Sequence, residues 1–157
     1  MAVTIDEIKQ TYPLPIYNYR VDLGSDTIAF SEVSGLVIEY DVTTFKESPV
    51  EPGIAGPRTL HMPAQGTPTD ITLKKGVVRR ASINALYKWI ATVATNQIEK
   101  KDIFVHLCDE TGAPVITYKV TNAFPTKLEA PTFDASSNDA AVDTLQLRAD
   151  GVFIEEA

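Results

Sequence analysis

The sequence of 157 residues lacks the features that define several large protein classes. Its single cysteine, Cys108, cannot form an internal disulfide, and zinc sites built on paired cysteines are excluded. Fourteen Lys and Arg against twenty-one Asp and Glu give a formal net charge of −7. This balance argues against nucleic-acid binding, because phosphate neutralisation needs clustered positive charge. No apolar run approaches the roughly 18 residues needed to span a bilayer. We therefore expect neither a nucleic-acid partner nor a membrane anchor.

The first ten residues lack the basic and apolar regions of a secretory signal peptide, and Asp6 and Glu7 lie among them. A hydrophobic content of 44% in a chain of this length suits one globular domain with a core, which we predict over residues 1–157. The simplest expectation is a soluble protein made in the cytoplasm.

Motifs that carry catalysis are also missing. The chain has no phosphate-binding G-x-x-x-x-G-K-[ST] loop, no G-x-G-x-x-G, no G-x-S-x-G elbow and no H-E-x-x-H zinc helix. His106 and Cys108 would project from one strand face, at the spacing of a minimal metal pair, but no second pair completes a zinc site. A packed or subunit-facing strand is the simpler interpretation. Paired carboxylates for acid–base chemistry, or a sugar site built on Trp89, stay open but have no support in the sequence. We predict no catalytic residue, no metal and no cofactor.

Most of the chain alternates apolar and polar residues with a period of two, which is typical of strands with one buried face. Gly24-Ser25 predicts a tight hairpin turn, because glycine accepts the positive φ that such turns need. The pattern predicts a mainly β fold, a two-sheet barrel or sandwich. The predicted strands cover residues 16–23, 26–33, 36–42, 69–78, 103–108, 115–121, 124–130, 144–149 and 152–154.

One segment has helical spacing instead. Apolar residues recur every three or four positions over about 82–95, which predicts an amphipathic helix with Ser82 as its N-cap. Trp89 lies at the margin of the apolar stripe, where its indole N–H can find a partner. The residues predicted to pack on the core are Ile83, Leu86, Trp89 and Ile90.

A stretch of 24 residues, about 46–69, contains five prolines and three glycines and predicts a long loop without regular structure. Loops of this length are usually functional or disordered. Leu60, His61 and Met62 favour a functional loop, because a pure linker would lack such apolar anchors.

Charge is distributed unevenly along the chain. Residues 1–57 hold three basic and nine acidic side chains, 58–101 hold eight and two, 102–128 hold two and three, and 129–157 hold one and seven. The simple interpretation is a solvated surface whose charges happen to segregate. The alternative is self-complementarity, in which the basic part of one copy meets the acidic part of another in a head-to-tail contact.

Seven strings of the sequence, in order and covering almost the whole chain, are distinctive. They are Tyr12–Tyr17 (YPLPIY), Phe30–Leu36 (FSEVSGL), Ile71–Val77 (ITLKKGV), Leu86–Ile90 (LYKWI), Asn96–Ile103 (NQIEKKDI), Asn122–Lys127 (NAFPTK) and Pro131–Val142 (PTFDASSNDAAV). Together they resemble the inner tail-tube proteins of contractile phage-tail-like injection systems, most closely those of the antifeeding-prophage type. Phage tail tubes and type VI secretion tube proteins are more distantly similar.

The resemblance implies a non-enzymatic structural subunit. It implies homohexameric rings that stack into a hollow tube inside a contractile sheath, and a tube that carries cargo protein through a target membrane. Sheath subunits, baseplate hub and spike proteins and the cargo in the lumen are the implied partners. Assembly in the bacterial cytoplasm and release in an extracellular particle are implied as well. Phe45-Lys46-Glu47-Ser48 stands where the main tube proteins usually carry an aromatic-Arg-Asp-Gly string, so either the bulk tube subunit or the initiator on the baseplate hub is implied.

Two sets of residues follow as hypotheses for a tube subunit. The long loop would contact the neighbouring ring, and one polar sheet face would line a wet lumen. The contact set is Phe45, Lys46, Glu47, Arg58, Leu60, His61 and Met62; the lumen set is Arg20, Lys74, Lys119, Gln146 and Arg148. A monomeric β-sandwich that binds a carbohydrate or a peptide through the same loop is the alternative.

Overall fold

The computed structural model describes residues 2–156, apart from the side chains of 81–83. A helical segment over 79–94 consists of an α-helix (Arg79–Ala81), a π-helix (Ser82–Tyr87) and a second α-helix (Lys88–Ala94). The elements in chain order are α1 (Ile5–Thr11), β1 (Tyr19–Leu23), β2 (Asp26–Ile28), β3 (Glu32–Ser34), β4 (Tyr40–Glu47), β5 (Arg58–Gly66), β6 (Thr69–Gly76), α2 (Arg79–Ala81), α3 (Lys88–Ala94), β7 (Lys101–Cys108), β8 (Pro114–Glu129), β9 (Val142–Ala149) and β10 (Gly151–Glu156).

Eight strands form an antiparallel arrangement that divides along its longest strand, β8. The first part of β8 pairs with β7 and β10, and its last part pairs with β9. We call β2-β1-β7-β8-β10 the first sheet and β3-β6-β9-β8 the second sheet. Between the two parts of β8, Asn122 has a positive φ of 51° and its side chain donates to Asp150. The prediction of a mainly β, two-sheet fold is confirmed, as a sandwich and not as a closed barrel.

The core lies between the sheets, where alternate residues of both point inward. The first sheet contributes Val21, Leu23, Ile103, Val105 and Val120, and the second contributes Ile71, Leu73, Leu145 and Leu147. The helical segment adds Leu86 and Trp89, which are 1% and 2% exposed. The indole N–H of Trp89 donates to the carbonyl of Glu99 at 2.6 Å. Ile90 is half-buried, and the predicted core residue Ile83 lies outside the described side chains.

The predicted loop over 46–69 is wrong. β4 extends to Glu47, β5 begins at Arg58, and the two strands pair as a hairpin, so the irregular part shrinks to residues 48–57. Proline removes a backbone donor, which a central strand cannot tolerate. β5 pairs with one neighbour and leaves its other edge open, and edge strands accept proline, as at Pro63 opposite Val42.

The helix is confirmed but begins three residues earlier than predicted, at Arg79, so Ser82 does not precede it as an N-cap. The side chain of Ser82 is itself outside the description. A further helix, α1, was missed although Thr4 and Glu7 form a capping box, a signal that the sequence carries. In residues 2–156, no helix combines the length and the apolar content needed to cross a membrane.

The predicted strand over 36–42 is also wrong, because β3 ends at Ser34 and β4 begins at Tyr40. Gly35 interrupts the pattern, with a φ of 87° and a backbone so close to the second sheet that a Cβ there would lie 2.4 Å from the Asp70 carbonyl oxygen. The two strands predicted over 115–121 and 124–130 are in fact one, β8.

Candidate assembly surfaces

The β4–β5 hairpin projects from the sandwich with almost every side chain exposed. Cross-strand partners lie on the same face of a ribbon, so Phe45 lies beside Leu60 and Thr43 beside Met62 on one face. Phe45 and Met62 are 50% and 44% exposed. An isolated two-stranded ribbon is marginally stable in water, so this face lacks the cover that such a hairpin needs.

The seven residues of the predicted contact set lie close together on this hairpin. Glu47 and Arg58 form an ion pair at the outer end of the ribbon, on the same face as Phe45 and Leu60. Lys46 and His61 lie on the other face, where His61 contacts the Thr44 hydroxyl at 3.5 Å. The connection beyond the ribbon exposes Val50, at 94%, and Ile54, at 58%. The hairpin therefore carries apolar groups along one face and at its tip.

Besides the outer edges of the β4–β5 ribbon and of the short strands β2 and β3, two strand edges of the sandwich are open within residues 2–156. β10 pairs with β8 alone, and the last part of β8, from Phe124 to Glu129, pairs with β9 alone. Open edges present unpaired backbone N–H and C=O groups that can pair with another chain. Phe153 and Ile154 on β10 are 54% and 58% exposed. The sequence did not identify Phe153 and Ile154 as surface residues, because apolar residues in a predicted strand are equally typical of a buried face.

The outward face of the second sheet is polar and internally paired. Lys74 lies 3.2 Å from Glu32, and Arg148 donates to both carboxylate oxygens of Asp70 at 2.9 and 3.1 Å. Hydrogen bonds from Arg148 hold the pKa of Asp70 below its usual range, and Asp70 raises the pKa of Arg148 in return. Gln146 lies between these pairs in strand register, opposite Thr72. The Asp70–Arg148 pair therefore stays ionised at neutral pH.

The five residues of the predicted lumen set do not share one face. Lys74, Gln146 and Arg148 lie on the second sheet, whereas Arg20 and Lys119 lie on the outward face of the first sheet. Lys119 lies over the ring of Phe104, 5.9 Å from its centroid. A single sheet face therefore accommodates at most the first three of them.

A histidine cluster lies on the outward face of the first sheet. The imidazole of His106 contacts Asp22 at 2.9 Å and Thr117 at 2.8 Å through its two nitrogens. Burial opposes ionisation of Asp22, but hydrogen bonds from Thr27 and His106 outweigh it and lower its pKa. Both ring nitrogens of His106 therefore have a partner within the chain. Cys108 is buried, and a shift in the strand register lies between it and the preceding residue of β7. No group of three His, Cys, Asp or Glu residues in the described part of the chain could hold a metal ion.

Comparison with known proteins identifies one family model and several solved structures that are similar to this chain. The family model described as T4-like virus tail tube protein gp19 matches residues 15–152. A chain of the PVC sheath-tube complex, an extracellular contractile injection system in the extended state, is 39% identical with a TM-score of 0.85, covering 99% of this chain and 100% of that chain. A chain of the anti-feeding prophage cap, the AFP tube terminating cap, is 40% identical with a TM-score of 0.82, and both chains are covered completely.

At 19% identity, Hcp1 from Flavobacterium johnsoniae shares the fold, with a TM-score of 0.50 over 88% of this chain and 95% of that chain. The curated proteins give no match.

Proposed function

The chain belongs to the T4-like virus tail tube protein gp19 family, and we propose that it forms hexameric rings which stack into the hollow inner tube of a contractile injection particle. It is a tail tube-like structural protein of contractile injection systems and not an enzyme. The ring, the stacking and the delivery of cargo protein through the tube are the proposal.

The observation that carries the proposal is the exposed β4–β5 hairpin. Its apolar face, with Phe45 beside Leu60, has no cover within the described chain, and a ribbon of two strands gains little stability alone. We propose that it lies against a subunit of the neighbouring ring through the seven residues of the contact set. The open edges of β8 and β10 would pair between subunits within a ring, which removes the hazard of free edges.

For the lumen, we propose the outward face of the second sheet. Lys74, Gln146 and Arg148 stay in the lumen set, and the intramolecular ion pairs of Lys74 and Arg148 give a hydrated wall without unpaired buried charge. Arg20 and Lys119 belong to the other sheet and leave the set.

Cysteine labelling tests the choice of face. In a Cys108→Ser background, assembled tubes that carry Gln146→Cys should react with a bulky maleimide more slowly than assembled tubes that carry Arg20→Cys.

The related chains occur in complexes described as sheath-tube and tube terminating cap. We propose sheath subunits and baseplate hub or spike proteins as partners of this chain, assembly in the bacterial cytoplasm, and release in an extracellular particle. Both the repeated ring and the ring that starts the tube on the hub fit this proposal.

The mass of the purified protein tests the proposal. Light scattering coupled to size exclusion should give particles of six subunits or multiples of six at high protein concentration and near-physiological salt. A strict monomer under those conditions would contradict self-assembly and favour the monomeric carbohydrate- or peptide-binding module.

A further inference from the structure

Most exposed cations on the strands are neutralised within the chain, whereas those on the helical segment are not. Lys74, Lys127 and Arg148 each lie within reach of a carboxylate. Arg79, Arg80 and Lys88 are exposed, and within residues 2–156 none of them forms an ion pair. We call these three residues the basic face. Arg20 and Lys46 are also exposed without an ion pair, but each lies on a different strand, whereas these three share one helical segment in a chain whose net charge is −7.

A matching set of unpaired anions lies at the end of β10. Glu155 and Glu156 are both exposed, and no cation of the described chain pairs with either of them. They lie on the open edge of the first sheet, opposite Thr117 and Ile116 of β8. We call these two residues the acidic end.

The two sets lie on different elements and do not pair with each other within the described chain. The acidic end is in register with Thr117 and Ile116, near the start of β8. The basic face begins shortly after β6, whose last residue pairs with Val142 at the start of β9. Its third residue, Lys88, precedes Trp89, whose ring lies beneath the Lys101 ammonium group.

We propose that the basic face of one copy binds the acidic end of a second copy. The inference rests on the proposed self-assembly and goes beyond it by naming the charged contact that orients one subunit relative to the next. A contact between two different patches of one chain is head-to-tail, and this is the geometry that generates rings or stacks. Complementary charge of this kind fixes orientation and suppresses wrong pairings. The contact is independent of the apolar hairpin.

Charge reversal tests the contact. Arg79→Glu with Arg80→Glu, and separately Glu155→Lys with Glu156→Lys, should each raise the protein concentration needed for assembly by about tenfold at about 0.1 M salt. An equimolar mixture of the two variants, and a chain carrying all four changes, should assemble nearly as well as wild type, because opposite charges then face each other again. Raising the salt should weaken wild-type assembly and narrow the difference between wild type and the single reversals.

The matched control is Lys9→Glu with Arg20→Glu, which changes the net charge as much as the arginine reversal does but lies on α1 and on the outward face of the first sheet, outside the proposed contacts. It should assemble like wild type. Sedimentation velocity gives the assembled fraction, and circular dichroism confirms that each variant is folded.

The outcomes separate the two proposals. If both charge reversals assemble at the same protein concentration as wild type, this contact is overturned while the proposed function stands. A defect in the arginine reversal that the mixture does not repair would assign the basic face to a different acidic partner and overturn the second-copy contact. A wild-type chain that never assembles would overturn both proposals.

Discussion

Truncation of Phe45 to alanine separates the stability of one subunit from the stability of its assembly. Phe45 lies beside Leu60 on the exposed face of the β4–β5 hairpin and is 50% exposed in the isolated chain. Half of its surface therefore stabilises the hairpin itself, and the other half is available to a neighbouring subunit. If the hairpin docks on that neighbour, the substitution should affect assembly more than folding.

The magnitude follows from the exposed area. A phenylalanine buries roughly 200 Å² when fully covered, so about 100 Å² remains to be buried on assembly. At about 25 cal/mol per Å², the loss is about 2.5 kcal/mol for each subunit contact, which corresponds to roughly 70-fold in an equilibrium constant. By the same arithmetic the buried half contributes a similar amount to the hairpin, but within the described chain the ribbon makes at most weak contact with other elements, so it can open without the sandwich. In the isolated chain the alanine substitution should therefore lower the global free energy of unfolding by about 1 kcal/mol or less.

Two measurements on Phe45→Ala make the comparison. Urea unfolding at protein concentrations too low for assembly gives the effect on the subunit, and sedimentation over a concentration series gives the effect on assembly. Tyr12→Ala is the matched control, since Tyr12 is an aromatic residue of similar exposure, 56%, at the end of α1. Assembly of Phe45→Ala at the wild-type concentration, with Tyr12→Ala also unchanged, would refute the assignment of this face to a subunit contact.

Three further substitutions test the fold and the polar sheet face. Trp89→Phe removes the indole N–H that donates to the Glu99 carbonyl and leaves a void, so the free energy of unfolding in urea should fall by about 2–3 kcal/mol; an unchanged midpoint would contradict its place in the core. Gly35→Ala should cost about 2 kcal/mol or more in the same assay, because its Cβ would lie 2.4 Å from the Asp70 carbonyl oxygen at a positive φ, and a neutral result would show that this close approach relaxes freely. Arg148 lowers the pKa of Asp70, so the ionised carboxylate stabilises the folded chain above its ordinary pKa of ~3.9, and this contribution is lost as pH falls through the lowered value. Melting temperatures of wild type and Asp70→Asn should therefore differ at neutral pH and converge in acid, and a constant difference would contradict the pairing.

Periodicity was a good guide wherever a strand or helix packs on the core. β6 alternates buried and half-exposed residues as the sequence predicts, with Ile71 and Leu73 inward. The turn between β1 and β2 follows from Gly24, whose φ is 67°. The helical stripe through Leu86 and Trp89 was visible for the same reason, since one face of the segment is buried.

Periodicity failed at the β4–β5 ribbon, which makes at most weak contact with other elements of the described chain. In β4 and β5 the prolines suggested a loop, because sequence alone does not reveal that β5 has a free edge where a missing N–H does no harm. The division of polar residues between the two sheets was equally hidden. Arg20 and Arg148 look alike in a strand pattern, and only the register of β1 and β9 places them on different faces.

Electron cryo-microscopy of the purified protein tests the central claim most directly. We expect six-fold rings, alone or stacked, in which the outward face of the second sheet, with Lys74, Gln146 and Arg148, surrounds a central channel. Particles that remain single subunits at high concentration, or rings whose channel is lined by the first sheet around Arg20 and Lys119, would contradict it.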